Sequence, residues 1–390
     1  MARVRTEAEE ATTYQALALW VASRLGVLAL AVVAAGTLFR DDVRPLLERW
    51  RHWDAHLLII IAEHGYDGDP AARPDPGLPA FFPGMPLALR AVHLIVRDWT
   101  LSGMFISLVA GAVAMVALAR LAEFEGPPGA GWRAVLALLL CPTAVFLFAG
   151  YSEALFLAFG IPAWLAARRG NWLAAGLLGA GASCVRITGL FLAFALIVEY
   201  VAGRRREQAE EEPGARLRTH WGWLVVPFVP LLAYSAYQYS RTGDWLAWNH
   251  AQEAGWGRRL VPPWESFATT WASATGDGQF AWAFRLEIAG AVVGVGLVLW
   301  LLWMRRWSEL VYVGLQVGAL ICSAYYLSIP RSALLWWPLW LAIARLSTPR
   351  PEEDGVMAQV RPWTLAVYGL LVAPLMALNT LTFLQGAWAG

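Results

Sequence analysis

Long apolar runs separated by short polar stretches set the rhythm of the chain. The runs at 21–39, 104–121 and 289–304 are continuous rather than alternating, so they predict helices and not the strands of a barrel. Several runs reach roughly 17 to 25 residues, the length a helix needs to cross about 30 Å of hydrocarbon. Spans are predicted near 14–38, 100–120, 132–149, 153–168, 171–185, 188–202, 221–240, 286–304, 308–328, 332–346 and 363–384, about eleven in all. The first apolar stretch is too long for a signal-peptide core and reads as an uncleaved anchor. The segment 81–96, FFPGMPLALRAVHLIV, is apolar but short, begins at a proline turn and carries Arg90 and His93. It is expected to lie in the membrane interface.

Composition sharpens this to an all-α integral membrane protein. With 58% hydrophobic residues, 23 Trp and 15% charged residues, a soluble fold would expose very large apolar areas. The formal net charge is +1, and all 30 basic residues are Arg. With 81–96 in the interface, Arg3/Arg5, Arg120/Arg133, Arg168/Arg169, Arg204–Arg206 with Arg216/Arg218, Arg305/Arg306 and Arg345/Arg350/Arg361 collect on one side. That side, with the N-terminus, is expected to be cytoplasmic by the positive-inside bias of short loops. The whole chain, 1–390, then reads as one transmembrane domain, with extracytoplasmic loops at 40–99 and 241–285 and a charged cytoplasmic linker at 203–219. A second charged connector follows Ser347. Cys141, Cys184 and Cys322 sit inside apolar segments and read as core packing rather than a disulfide or thiolate metal framework. Nothing in the charge pattern suggests a nucleic-acid partner; the bilayer is the expected surrounding.

Ionisable residues at membrane depth are expensive and therefore mark candidate chemistry. Asp54 follows the first helix, between His52 and His56. Three roles fit it: a general base for a substrate hydroxyl, the cap of a following helix, or a neighbour of two histidines that share a helical face and hold a metal. Asp67 and Asp69 form D-x-D within YDGDPAARPDPG, where turn formation competes with cation binding. Glu153 opens an apolar helix, a place the helix dipole favours for an acid. Arg186 and Arg331 sit near helix ends, where a guanidinium either snorkels to a headgroup or meets a phosphate. The loop at 241–285 interleaves Asn249, His250, Gln252, Glu253, Arg258 and Arg259 with Trp245, Trp248, Trp256 and Trp264, a mixture that suits sugar rings and also interfacial anchoring.

These motifs carry a resemblance. WDAHLLIIIAEHGY with AFFPGMPLALR (53–90), PTAVFLFAGYSEALF (142–156), VRITG (185–189), GDWLAWNHAQEAGWGRR (243–259) and IPRSALLWWPLWLA (329–342) together resemble the PIG-V-like mannosyltransferases. Those are multi-spanning GT-C glycosyltransferases that take sugar from a polyprenyl-phosphate donor. The resemblance implies a GT-C helical bundle with interfacial helices in the first outer loop. It also implies an inverting transfer of mannose, on the extracytoplasmic face of the cell membrane, to a hydroxyl of a glycolipid, glycan or protein. Asp54 matches the acidic residue placed beside the acceptor hydroxyl. Arg331, then Arg186, would meet the leaving phosphate, while His56, Tyr66, Glu153, Gln252 and Arg258 would bind substrate. No cofactor is implied, the lipid-linked sugar being a substrate, and a divalent metal is not expected. The chain departs from the family's G-D-P-L-A-F run by placing Trp245 and Trp248 where Pro and Phe are expected. A transporter or flippase for a lipid-linked sugar is the rival from another class, because it would use the same buried Arg and acids.

Overall fold

The computed structural model describes residues 2–73, 75–209, 221–350, 353 and 355–390. Helices make up its regular structure, and among the described residues the only β pairing is an isolated bridge between Leu260 and Ser323. Most of the 203–219 linker lies outside the described residues, as do parts of the connector after Ser347.

Among the described residues, four helices are long and apolar enough to cross a bilayer: Glu9–Thr37, Trp99–Glu125, Ala281–Trp303 and Ala358–Leu384. They make this a membrane protein of helical type. The segment 81–96, expected in the interface, holds the helix Gly84–Val96 of 13 residues, about 20 Å long at 1.5 Å per residue and short of the hydrocarbon thickness. Among the other predicted spans, 153–168, 171–185 and 188–202 correspond to unbroken helices, Glu153–Arg168, Trp172–Val185 and Thr188–Ala209, whereas Ala130–Leu139 and Trp307–Ile321 are shorter than expected, with 10 and 15 residues. The segments at 132–149, 221–240 and 332–346 are broken into shorter α and 3-10 pieces. Proline marks each break: Pro142 follows the end of Ala130–Leu139, and Pro227 and Pro338 stand in the first turn of the next piece, where a missing N–H costs no helical bond.

The chain divides into two compact units. Unit 1 comprises 1–55, 96–161 and 331–390. Trp20 is buried against Gly111, where an added Cβ would come within 2.2 Å of the indole, and its Nε1 donates to the Leu108 carbonyl at 3.0 Å. Only glycine permits that approach. The helix Ala130–Leu139 stops ahead of Pro142, and a 3-10 turn, Ala144–Leu147, follows. A broken helix in an apolar setting leaves carbonyls that need donors. Here Asn379 Nδ2 donates to Pro142 O at 3.1 Å and Arg24 Nη1 to Ala144 O at 3.1 Å. Gly150 then takes a left-handed φ of 75° against Gly103, and the chain turns into the helix Glu153–Arg168.

Outside the long helices of unit 1, Asp42 gathers the loop that leads to residue 54. Its carboxylate accepts from Arg44 and from Arg49 Nη1 (3.0 Å), and Arg49 is 1% exposed. The side-chain hydrogen bond from Arg44, with help from Arg49, holds the Asp42 carboxyl well below the ordinary carboxylate range. A depressed folded pKa contributes stability that is complete above the unfolded value, about 3.9, and is lost as pH falls toward the folded one. Asp42→Asn is therefore expected to flatten the acid limb of an unfolding-versus-pH profile below about pH 4. It should also lower thermal stability at neutral pH, because Arg49 stays buried without its carboxylate. A variant with the wild-type acid limb would refute this reading.

Unit 2 comprises 56–95 and 162–330. One network of buried charges runs through it: Arg168 Nη1 meets Glu199 at 2.8 Å, Arg168 and Arg306 both pair with Glu309, and Ser308 Oγ donates to Glu199 at 2.6 Å. Glu309 is 1% exposed, and loss of its charge takes from Arg306 and Arg168 a carboxylate they share in a poorly solvated site, leaving Arg168 with Glu199. Glu309→Gln is expected to cost about 3 to 5 kcal/mol of stability, read as a lower unfolding temperature in detergent. An unchanged unfolding temperature would show that the network is dispensable. Glu287, 1% exposed within Ala281–Trp303, accepts the backbone N–H groups of Ser328 and Ile329, both at 2.7 Å, where the helix Ile329–Ser332 begins. The three cysteines are free thiols, and Cys141 is buried with its Sγ 3.4 Å from Thr143 Oγ1.

Candidate active site

In unit 1 the structure brings together three of the residues that the sequence singles out. Asp54 is the first residue of the helix Asp54–His64, after Trp53 in a left-handed conformation (φ 50°). A non-glycine residue seldom adopts that φ, and a bulky one there is backbone strain of the kind that collects at functional sites. Asp54 Oδ2 lies 2.8 Å from Arg331 Nη1, and Glu153 Oε1 lies 3.5 Å from Arg331 Nε. Glu153 is fully buried, and the side chains of Asp54 and Arg331 are 17% and 11% exposed. One guanidinium thus faces two carboxylates in a site with little water. Arg331 comes from the helix Ile329–Ser332, Asp54 from the start of another helix and Glu153 from the first turn of a third.

An aromatic wall surrounds the ion pair. The Arg331 guanidinium lies over Phe146 and Tyr151, 5.5 and 5.4 Å from the ring centroids. Phe383 packs against both of those rings and against His52. Tyr151 donates its hydroxyl to the His52 carbonyl at 3.1 Å, tying the residue two before Asp54 to the residue two before Glu153. Burial, then the neighbouring Asp54 charge, pushes the Tyr151 phenol well above the usual tyrosine range, so it stays neutral. Burial works against the Arg331 charge, but Asp54 and Glu153 more than offset it and raise its pKa. The segment after Leu384 also closes on the site. Asn379 Nδ2 donates to Ala389 O at 2.8 Å, Arg44 Nη2 to Gln385 O at 3.1 Å, and Trp388 packs edge-on against Trp53 at 5.6 Å. A Cβ on Gly390 would sit 3.3 Å from Phe146 and 3.7 Å from Arg331 Cβ.

Sequence reasoning missed Tyr151, Phe146 and this C-terminal segment, because neutral aromatics in an apolar run look the same whether they fill a core or line a site. It also missed Glu287, whose signal was an acid inside the apolar run 286–304. One expectation is corrected. His52 lies outside the helix, so the four-residue face-sharing proposed with His56 does not exist; the Asp54 carboxylate, at the start of the helix, meets Arg331.

The other predicted residues belong to unit 2. His56 is exposed on the helix Asp54–His64. Tyr66 lines a cavity and donates to Phe81 O at 2.9 Å. Arg186 ends the helix Trp172–Val185 in an extended conformation, half-buried. Gln252 is half-buried on Ala247–Trp256, and Arg258 donates through Nη2 to Leu327 O at 2.8 Å. In the D-x-D, Asp67 pairs with Arg241 and Asp69 accepts from Ala71 N at 2.8 Å, a turn bond. Among the described residues no group of three or more His, Cys, Asp or Glu is placed to hold a metal ion.

Comparison with known proteins adds an independent line. The family described as mannosyltransferase (PIG-V) matches residues 28–206, a stretch that contains Asp54, His56, Tyr66, Glu153 and Arg186. GPI alpha-1,6-mannosyltransferase 2 of Cricetulus griseus is 36% identical over 159 residues, covering 38% of this chain and 31% of that protein. The protein of the same description from Rattus norvegicus is 34% identical over 159 residues, and that from Homo sapiens 36% over 163, with the same shares. The match spans about a third of the length of these relatives. No solved structure matches. Through residues 28–206, a stretch that holds both Asp54 and Glu153, the chain is similar to the mannosyltransferase (PIG-V) family.

Proposed function

We propose that this chain is an inverting mannosyltransferase of GT-C type, moving mannose from a polyprenyl-phosphate donor to a hydroxyl of a glycolipid, glycan or protein. The observation that carries the reading is the Asp54–Arg331–Glu153 cluster. Arg331 engages Asp54 through Oδ2, which leaves Oδ1 to accept a hydroxyl proton. In the proposed step the acceptor oxygen attacks the anomeric carbon, its proton passes to Asp54, and the bond from that carbon to the phosphate oxygen breaks. A base placed within hydrogen-bond reach contributes about 10² to 10⁴ in rate. Arg331 has two duties here: it orients Asp54, and its guanidinium supports the charge that develops on the phosphate. Arg186 is the second candidate for that charge, and His56, Gln252 and Arg258 are candidates for contacts with sugar or acceptor. The scheme needs neither a cofactor nor a divalent metal.

The proposed setting is the cell membrane, with about eleven crossings, a cytoplasmic N-terminus and the site on the extracytoplasmic side. Its support is the collection of short Arg-bearing loops on one face when 81–96 lies in the interface. A second reading, movement of a lipid-linked sugar between leaflets, draws on the interrupted helices at 132–149 and 329–335. Offering purified protein either polyprenyl-phosphate mannose or a nucleotide mannose, and following product formation, separates the donor classes. Turnover of the lipid-linked donor with inversion at the anomeric carbon is expected; turnover of the nucleotide sugar alone would overturn the donor assignment.

A further inference from the structure

Within unit 2 the helix Pro263–Thr275 packs through its small and polar side. Ser266, Thr270 and Ala274 are buried, and Thr270 Oγ1 accepts from Tyr326 N at 2.8 Å and donates to Ser266 O at 2.8 Å. The large side chains face outward: Trp264 is 73% exposed, Phe267 43% and Trp271 52%. At about 100° per residue these three rings fall within roughly 60° of arc, and exposed Glu265 and Thr269 stand roughly 150° round from them. The helix therefore has three sides, one packed, one aromatic and one polar. In water the aromatic side is a costly exposure, whereas at a bilayer surface it is the side that enters the lipid.

The neighbouring helix Ala281–Trp303 fixes where that surface lies. It is long and apolar enough to cross a bilayer, and Val292, Val295, Leu299 and Trp303 are exposed along one side of it. Trp282 and Trp303, both exposed, stand about 32 Å apart along this helix at 1.5 Å per residue, a spacing that matches the hydrocarbon thickness and the preference of Trp for its two edges. The helix Pro263–Thr275 packs against it and reaches its Trp282 end, where Arg285 Nε donates to Ala274 O at 2.9 Å. The aromatic side is thus near one bilayer edge, beside a helix whose own exposed side meets lipid. We propose that Pro263–Thr275 is an interfacial membrane helix: Trp264, Phe267 and Trp271 enter the boundary between headgroups and acyl chains, while Glu265 and Thr269 stay with headgroups and water. Trp264 is then an anchor and not a platform for a sugar ring, and part of the 241–285 loop lies on the bilayer rather than away from it.

The test places an environment-sensitive fluorescent amino acid at Phe267, Trp271 or Thr269 of the full chain in phosphatidylcholine nanodiscs. Quenching by nitroxide lipids, labelled near the headgroup or near the chain end, is compared with quenching by aqueous iodide. All three positions are exposed, so the fold accommodates the probe, an unfolding temperature in detergent checks this, and two positions on the aromatic side keep the test decisive if one probe disturbs folding. At 267 and 271 the headgroup-end nitroxide is expected to quench at least about twofold more than the chain-end one, as for a face roughly 5–10 Å into the boundary, with little quenching by iodide. At 269 iodide is expected to quench most. Strong iodide quenching at 267 and 271 would put the aromatic side in water and overturn the proposal. Stronger quenching there by the chain-end nitroxide, the mark of a helix immersed in hydrocarbon, would overturn it too, as would protection from every quencher, the mark of a second protein surface over the face.

Discussion

Arg331→Met is expected to abolish transfer and to destabilise the protein at once. The substitution keeps most of the aliphatic volume against Phe146 and Tyr151 but leaves Asp54 and fully buried Glu153 without the cation they share. Breaking a buried ion pair from one side costs about 3 to 5 kcal/mol, because the stranded charge is the expensive part. Without the guanidinium the two carboxylates repel, and Asp54 loses the partner that orients it as a base. Arg331→Lys restores a charge without the planar fork that reaches both acids, and it should recover stability more than activity. Adding Glu153→Gln to Arg331→Met should restore part of the lost unfolding temperature in detergent and none of the transfer. Independent, additive effects of the two substitutions would show that the three residues do not work as a unit.

Asp54→Asn is expected to lower the single-turnover rate by about 10² to 10⁴ while leaving the fold and donor binding in place. Asparagine keeps the volume and an acceptor for Arg331 Nη1, so the change removes basicity rather than shape. The strained Trp53 before it is held by Trp388, 5.6 Å away, which fixes where the side chain at 54 emerges. A rate within threefold of wild type would remove Asp54 as the base.

Much of this protein is legible in its sequence, for definable reasons. Continuous apolar runs of bilayer length report helices directly, and those at 14–38, 100–120, 286–304 and 363–384 correspond to the four helices long enough to cross. Hydropathy does not report interruption. The runs at 132–149 and 332–346 are as apolar as the others, yet each is broken: Phe146 sits in the 3-10 turn that follows Pro142, and Arg331 in the short helix Ile329–Ser332 just ahead of the second run. Asp54, Glu153 and Arg331 stand out because charge in apolar company is rare, although nothing in the sequence says that the guanidinium would face both acids. Sequence spacing also suggested a shared helical face for His52 and His56, which the left-handed turn at Trp53 removes. Tyr151 and the chain after Leu384 carry no such mark, being neutral or small residues whose role depends on what folds against them.

The most direct test incubates wild type and Asp54→Asn with radiolabelled polyprenyl-phosphate mannose and a membrane lipid extract, measuring bound donor and label transferred to acceptor in the same samples. Transfer by wild type alone, with donor bound equally by both, is the predicted result. Label that stays on the donor and only changes leaflet, or that reaches acceptor equally with Asp54→Asn, would contradict mannosyl transfer at the Asp54–Arg331 centre.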